Sequence, residues 1–479
     1  MRKFCDEMEI RLYWDQGDYE IWELFPDILS SKRINDFCWL DISKCESLTC
    51  LPAELLNSKF LTILSLSGCL KLEELPAIME TMENLKVLAL DGTAIKELPS
   101  SLHHLVGLEK LSLHSCTKLK TIPSSIGNLS KLLKLNLAYC ASLESFPSSI
   151  FKLNLTELNF EGCSMLQTFP EIPNDSVCLS SLTKLSLQGS SIVNLPESVA
   201  HLSSLRSLDL SDCKLLECVP NNIGRLSSLT ELSLQGSSIV NLPESMAHLS
   251  SLKSLNLSKY KFLECVPKLP PNLNLVFAFD CPSIKSMVLT SRSDPGEGTF
   301  EFYLTNSQEL DATSLSNIGE QACIKITYDA YWSVVFCFPG SAVPRWFHYC
   351  CKGHSVTMKT VSPNLCSKNR LIGFALCAVL GPEDMDETFR YKFEFISDGE
   401  ICSSYHYFMP ENHLNWNIPD PDIFLKQNHT LLWKHELKLE AIGNKIFHAQ
   451  NFTFEFSSNK VKECGIFPLF TKEIDTCKY

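Results

Sequence analysis

The stretch LSLSGCLKLEELP, residues 64–76, and its echo LSLHSCTKLKTIP, residues 111–123, decide the fold. In the first, Leu64 and Leu66 alternate with Ile63, Ser65 and Ser67, the period-2 mark of a short strand with one buried face. Leu72 and Leu75 return the chain to the same interior after a turn, and Pro76 ends regular hydrogen bonding. Outward from here the pattern recurs, with its first apolar anchor at Phe37, Leu61, Leu85, Leu108, Leu132, Leu155, Leu182, Leu205, Leu229, Leu252 and Leu273. The step is mostly 23 or 24 residues, with one longer coil from Leu155 to Leu182 and a shorter last one. A unit this short cannot bury its own apolar face, so the repeat predicts stacked coils sharing one core.

The consensus L-x-x-L-x-L-x-x-C-x-x-L-x-x-L-P is that of a leucine-rich repeat. It predicts an α/β solenoid of about eleven coils over residues 36–290, with a parallel sheet on its concave side. Residues 182–220 and 229–267 are near copies, a two-coil unit repeated in tandem, which an array tolerates because each coil touches only its neighbours. Cys45, Cys69, Cys116, Cys140, Cys163, Cys213 and Cys281 all occupy the position just past the strand. There a thiol packs as a small hydrophobe and donates a weak hydrogen bond to loop backbone, so the ladder reads as structural. Thr93, Ser190 and Ser237 take that place in coils one residue shorter. No C-x-x-C occurs, which removes the usual zinc and redox signatures.

Outward strand positions form the surface on which a partner is expected. Across eleven coils at strand spacing that face is roughly 48 Å long, a scale suited to a macromolecule. Large or charged groups carry more interface energy than serine, so Lys110, His114, Lys134, Tyr139, Glu157, Glu161, Lys184, Asp209 and Glu231 are the candidate protein contacts.

Residues 291–300, SRSDPGEGTF, read as a polar, turn-rich junction. Beyond it lie short β runs, TFEFYL, ACIKITY, WSVVFCF, HSVTMKTV, LIGFALCAVL, FRYKFEFI and NFTFEFS, which predict an all-β C-terminal sandwich over residues 301–479. FCFPGSAVPRWF (336–347), HSVTMK (354–359) and RLIGFALCAVL (370–380) carry a specific resemblance, joined by the G-C-x-x-L-x-x-L-P coils and the last coil LPPNLNLVFAFDCPSIKSM (269–287). Over nearly everything from residue 36 onward the chain resembles the C-terminal part of plant intracellular immune receptors of the TIR-type nucleotide-binding leucine-rich-repeat family. In them a jelly-roll/Ig-like domain follows the repeats. By position, Pro339, Gly340, Pro344, Trp346 and Phe347 match that domain's motif, with a turn-shaping role expected ahead of direct contact.

The resemblance implies a recognition module of innate immunity that senses a pathogen effector or a guarded host protein. The alternative it leaves is a regulatory scaffold or decoy that pairs with a full-length immune receptor. No G-x-x-x-x-G-K-[ST] phosphate loop and no TIR-like βαβ segment is found, so no cofactor and no catalytic residue is assigned. Residues 1–35 match no part of the family and do not read as a cap for the first coil. A formal net charge of −13 without a basic patch argues against nucleic acid. No apolar run would span a bilayer and no secretory signal opens the chain, so a cytoplasmic or nuclear location without membrane is expected. The His103–His104 pair is expected to be solvated, and Cys350–Cys351 are too close in sequence to aim at one metal.

Overall fold

The computed structural model describes residues 11–14, 17–19, 38–173, 181–290, 297–328, 330–359, 371–382, 390–408, 425–436, 450–456 and 461–470. The chain forms two compact units, Met1–Leu252 and Lys253–Tyr479.

In the first unit every expected coil supplies one three-residue strand, beginning two residues past its anchor. Trp39–Asp41, Ile63–Ser65, Val87–Ala89, Lys110–Ser112, Lys134–Asn136 and Glu157–Asn159 pair parallel and in register, and Lys184–Ser186, Ser207–Asp209 and Glu231–Ser233 continue the series. The central leucine of each strand and the one two residues on face inward, so that Leu64, Leu66, Leu88, Leu90, Leu111 and Leu113 are wholly buried. After the proline, which stays extended, the chain makes a single 3₁₀ turn such as Ser100–His104 or Ser124–Asn128. Its Leu102 or Ile126 closes the coil inward. His103 and His104 lie in one such turn. Each is half-buried and bonds a backbone carbonyl, Ser100 O at 2.8 Å and Ile78 O at 2.6 Å, so the expected solvated pair is in fact bound into the turn.

In the first unit the residue before each core cysteine, or before the Thr93, Ser190 or Ser237 that replaces it, adopts a left-handed backbone: Lys44, Gly68, Gly92, Ser115, Tyr139, Gly162, Gly189, Asp212 and Gly236 all have φ between 55° and 79°. This conformation lets the backbone make one more rung before it turns inward. Gly68 N–H reaches Asp91 O at 2.6 Å, Gly92 N–H reaches His114 O at 2.7 Å and Ser115 N–H reaches Ala138 O at 2.7 Å. Glycine occupies five of the nine positions, as its freedom at positive φ predicts.

The expectation that residues 1–35 leave the first coil uncapped is corrected. Arg11–Trp14 and Gly17–Tyr19 make an antiparallel hairpin, and Arg11–Trp14 pairs antiparallel with Trp39–Asp41. A strand laid on that edge satisfies backbone groups that would otherwise be open to pairing. The sequence signal was the short alternation RLYW before Gln16–Gly17.

In the second unit the coil strands Ser254–Asn256 and Leu275–Ala278 pair parallel. The sheet then continues: Glu297–Leu304, half of which was expected to be junction, pairs in register with Leu275–Ala278 and on its other side with Ala330–Pro339. Parallel neighbours need a crossover, and here it is helix α1, Ala312–Thr327. The run ACIKITY, expected as a strand, lies in this helix. Asp311 caps it, its side chain accepting the Ser314 N–H at 2.6 Å. Its buried Ile318, Ala322 and Ile326 recur at helical spacing, which outweighs the β-branched content of the run. Lys325 Nζ sits 4.2 Å from the centroid of Phe300.

From Ala330–Pro339 onward pairing is antiparallel, through His429–Glu436, Leu371–Leu380, Val461–Phe470 and the edge strand Tyr349–Lys352. A second sheet orders Ser355–Lys359, Asn451–Phe456, Arg390–Ser397 and Glu400–Phe408. Between the two lies an aromatic core of Phe374, Phe393, Phe395, Phe452 and Phe454, with Phe393 and Phe454 stacked at 4.2 Å. Phe279 and Tyr303, on outward positions of the coil sheet, join that core.

A hydrogen-bonded joint, buried at His429 and Asn306, ties the last coil loop to the sandwich. His429, fully buried, accepts the Asn306 N–H at 3.1 Å, and its other ring nitrogen meets Gln427 O at 2.8 Å. Asn306 and Lys426 both donate to Asp280, at 3.1 and 2.8 Å.

Two outcomes follow from this packing. Leu111→Ala lowers unfolding stability by about 2–5 kcal/mol in urea titration, while the neighbouring exposed Lys110→Ala stays within about 0.5 kcal/mol. Burial raises the Glu301 carboxyl to about 7. Its acid form is therefore favoured by folding, and the associated stability is full below the ordinary carboxylate range and lost as pH rises through about 7. Glu301→Gln removes that loss, so the variant gains on the parent between about pH 5 and 8, by thermal melting across pH.

Candidate functional site

The outward row that begins each strand brings Lys110, Lys134, Glu157 and Lys184 directly opposite one another, and runs on through Ser207 to Glu231. Successive members are about 4.8 Å apart. Lys134 and Glu157 pair at 3.1 Å with both side chains about half exposed, a contact worth little to stability. Lys110 and Lys184 are exposed and make no ion pair among the described residues. On the N-terminal side the same row is apolar, with Ile63 and Val87 half-buried in register with Lys110.

Beside that row lies a cluster built across consecutive coils. The Tyr139 hydroxyl donates to Glu161 Oε1, and the Tyr139 ring meets His114 edge-on at 5.3 Å. The Glu161 carboxylate holds the Tyr139 phenol above its ordinary pKa. Asp91 orients the neighbouring backbone by accepting the His114 N–H at 2.9 Å and the Ser112 hydroxyl. Tyr139 takes the left-handed position at φ 59°, so its half-exposed ring folds back across Gly162. A Cβ at Gly162 would stand 2.6 Å from that ring. Tyr139, His114 and Glu161, named separately as candidates from the sequence, are brought into contact here, with Asp91 and Gly162 as supports that sequence reading did not single out. The available signal was the alternation of glycine with larger residues before the cysteine.

Asp209 and Glu231 stand apart from this cluster. Asp209 Oδ1 accepts the Ser211 N–H at 2.9 Å, the same i→i+2 bond that Asp41, Asn136 and Asn159 make in their coils. That carboxylate is already engaged in shaping the strand end. Glu231 is exposed, two strands beyond Lys184.

The thiol ladder is internal. Cys69, Cys116, Cys140, Cys163 and Cys213 each donate to a carbonyl of the preceding coil at 3.1–3.2 Å. Burial pushes the Cys163 thiol up to about 12 and Cys213 to about 11, so both stay protonated donors. Among the described residues no group of three His, Cys, Asp or Glu is placed to hold a metal ion. Within the same limits no helix is long and apolar enough to cross a membrane.

In the second unit the motif residues shape one turn. Gly340 N–H bonds Asn428 O at 3.1 Å, and a Cβ there would lie 2.2 Å from the Thr430 hydroxyl. Pro344 O accepts the Phe347 N–H at 3.0 Å. Trp346 and Phe347 pack at 4.1 Å, Trp346 against Phe467 and buried Phe347 over Gly465. Pro339 is buried at the end of its strand. The geometry is that of a plugged loop, with Arg345 and His348 exposed on it.

Stacked coils with an outward strand face that bears charged residues define a leucine-rich-repeat chain. Residues 56–223 match the family described as "Disease resistance protein RPS4B-like, leucine-rich repeats", and residues 338–475 match the C-JID domain. The chain is 32% identical over 249 residues to "Disease resistance-like protein DSC1" of Arabidopsis thaliana, covering 49% of this chain and 16% of that protein. It is 30% identical over 266 residues to "Disease resistance protein RPS4B" of the same plant, covering 49% and 18%. The chain thus spans less than a fifth of the length of these curated relatives. A solved leucine-rich-repeat protein of Leptospira interrogans is 28% identical, covering 51% of this chain and 70% of that one with a TM-score of 0.35. Over its repeats and C-terminal domain, this chain is similar to the C-terminal region of TIR-type nucleotide-binding leucine-rich-repeat disease resistance proteins.

The ladder predicts a sharp division in thiol chemistry. In the native protein, exposed Cys50, Cys218 and Cys265 are alkylated by iodoacetamide within minutes, while Cys116, Cys140, Cys163 and Cys213 react only after unfolding, as read by peptide mass spectrometry.

Proposed function

We propose that this chain is a protein-recognition module of plant innate immunity, acting in the cytoplasm or nucleus by binding and without catalysis. It senses a pathogen effector or guarded host protein through the outward strand face, with the C-terminal β domain as a second surface. The observation that carries this reading is the in-register row Lys110, Lys134, Glu157 and Lys184 beside the His114–Tyr139–Glu161 cluster. Among the described residues Lys110 and Lys184 have no ion-pair partner, and with the half-exposed Tyr139 they stand on a regular sheet where a partner can reach them. In an interface such groups carry most of the energy, tyrosine by area and the lysines by steering. An open strand face lacks the closed pocket that acid–base work requires. Similarity to two disease resistance proteins supplies the biological setting.

The test is a binding titration against candidate effectors and host proteins, followed by grouped substitution. Combined Tyr139→Ala and His114→Ala weakens a genuine partner by about 10–100-fold, and combined Lys110→Ala and Lys184→Ala weakens it less, mainly through the association rate at low salt. Unchanged affinity in both groups, with folding intact, overturns the strand-face assignment. A partner that proves to be a full-length immune receptor would establish the decoy reading in its place.

A further inference from the structure

The recognition reading makes no use of a pair of cysteines at the edge of the sandwich. Edge strand Tyr349–Lys352 pairs antiparallel with Val461–Phe470, and Cys351 stands directly opposite Cys464. Both thiols are free, with Cys351 exposed and Cys464 wholly buried. Directly opposed residues of an antiparallel ladder share a face of the sheet. The next pair along, Tyr349 and Ile466, shows which face: Ile466 and Cys464 belong to the aromatic core, and Tyr349 packs against it. Cys351 therefore stands at the rim of that core, on the same side of the sheet as Cys464.

The register also sets the separation. Gly353 N–H donates to Lys462 O at 2.7 Å, so Gly353 and Lys462 are a hydrogen-bonded pair. Cys351 and Cys464, two residues along each strand, are another. Such pairs have Cα atoms about 5.5 Å apart, near the middle of the range a disulfide spans. Their Cβ atoms are nearer to about 5 Å, beyond the relaxed bridge, so the closed bond is strained and easily reduced. Cys350 lies opposite Gly465, whose vacant side is filled by Val343 and Phe347, and so has no cysteine across from it.

We propose that Cys351 and Cys464 form a thiol–disulfide modification site whose reactant is an oxidised low-molecular-weight thiol such as glutathione disulfide. The accessible Cys351, as thiolate, attacks one sulfur of the reagent. The reagent's S–S bond breaks, and one glutathione leaves and takes up a proton. When the edge strand opens locally, Cys464 gives its proton to solvent, attacks the Cys351 sulfur of the mixed disulfide and expels the second glutathione. Two protein thiols are oxidised and one glutathione disulfide is reduced to two thiols. The order follows from exposure, since the reagent reaches Cys351 and not Cys464. The product staples the strand just after the Trp346–Phe347 loop to Val461–Phe470.

To test this, the reduced full-length chain is incubated with glutathione disulfide, remaining thiols are alkylated, and peptides are mapped by mass spectrometry. The expected product links Cys351 to Cys464, raises the melting midpoint by roughly 3–8 °C and reverts with dithiothreitol. Cys464→Ser stops at a glutathione adduct on Cys351, and Cys351→Ser forms neither product. A Cys350–Cys351 bridge as the main product overturns the assignment, as does a stable adduct on Cys351 in the parent chain. So does a parent chain whose Cys351 stays unmodified while exposed Cys50 reacts. Should a variant fold poorly, the linkage map of the parent chain decides alone.

Discussion

A coil of two dozen residues has no interior until another coil lies against it, and everything else in this protein depends on that constraint. Leu88 and Leu90 are wholly buried only because Leu64 and Leu66 cover one side and Leu111 and Leu113 the other. Each strand of three residues is far too short to persist alone. Stability is therefore a sum over neighbours, and register must be kept coil after coil. The left-handed residue and the thiol after it serve this register, one by adding a backbone rung to the next coil and the other by bonding the coil before.

This internal bookkeeping determines which outward groups remain for a partner. Asp41, Asn136, Asn159 and Asp209 are drawn into bonds with the backbone two residues on, and Asp91 holds the His114 backbone. Lys110, Lys184 and the aromatic edge of the His114–Tyr139–Glu161 cluster are left facing solvent. A charged residue on the outward face is thus not equivalent to its neighbour one row away.

In the second unit the same sheet logic is turned to another use. Outward positions that are polar at Ser254 and Asn256 become Leu275, Phe277 and Phe279, then Tyr303, and a second sheet covers the later ones. The repeat geometry passes into a sandwich by changing which side chains stand on an unchanged ladder. The joint of Asp280, Asn306, Lys426 and His429, buried at its His429 end, then fixes the last coil loop to it.

Read as a string of residues, the chain already determined its coil count, strand positions, buried leucines and the inward thiols. Each of those follows from a local period that any stacked coil must obey. It also held most sandwich strands, because alternation marks a half-buried strand wherever it occurs. At ACIKITY the local signals conflict, β-branched residues against the helical spacing of Ile318, Ala322 and Ile326 after Asp311, and the crossover that the parallel strands Glu297–Leu304 and Ala330–Pro339 require settled it as helix. Tertiary structure decided that Arg11–Trp14 closes the first coil, because the four-residue alternation RLYW does not say which strand it will pair with. Tertiary packing likewise brought Tyr139 onto Glu161 and across Gly162, a contact between residues 22 positions apart that no local pattern encodes.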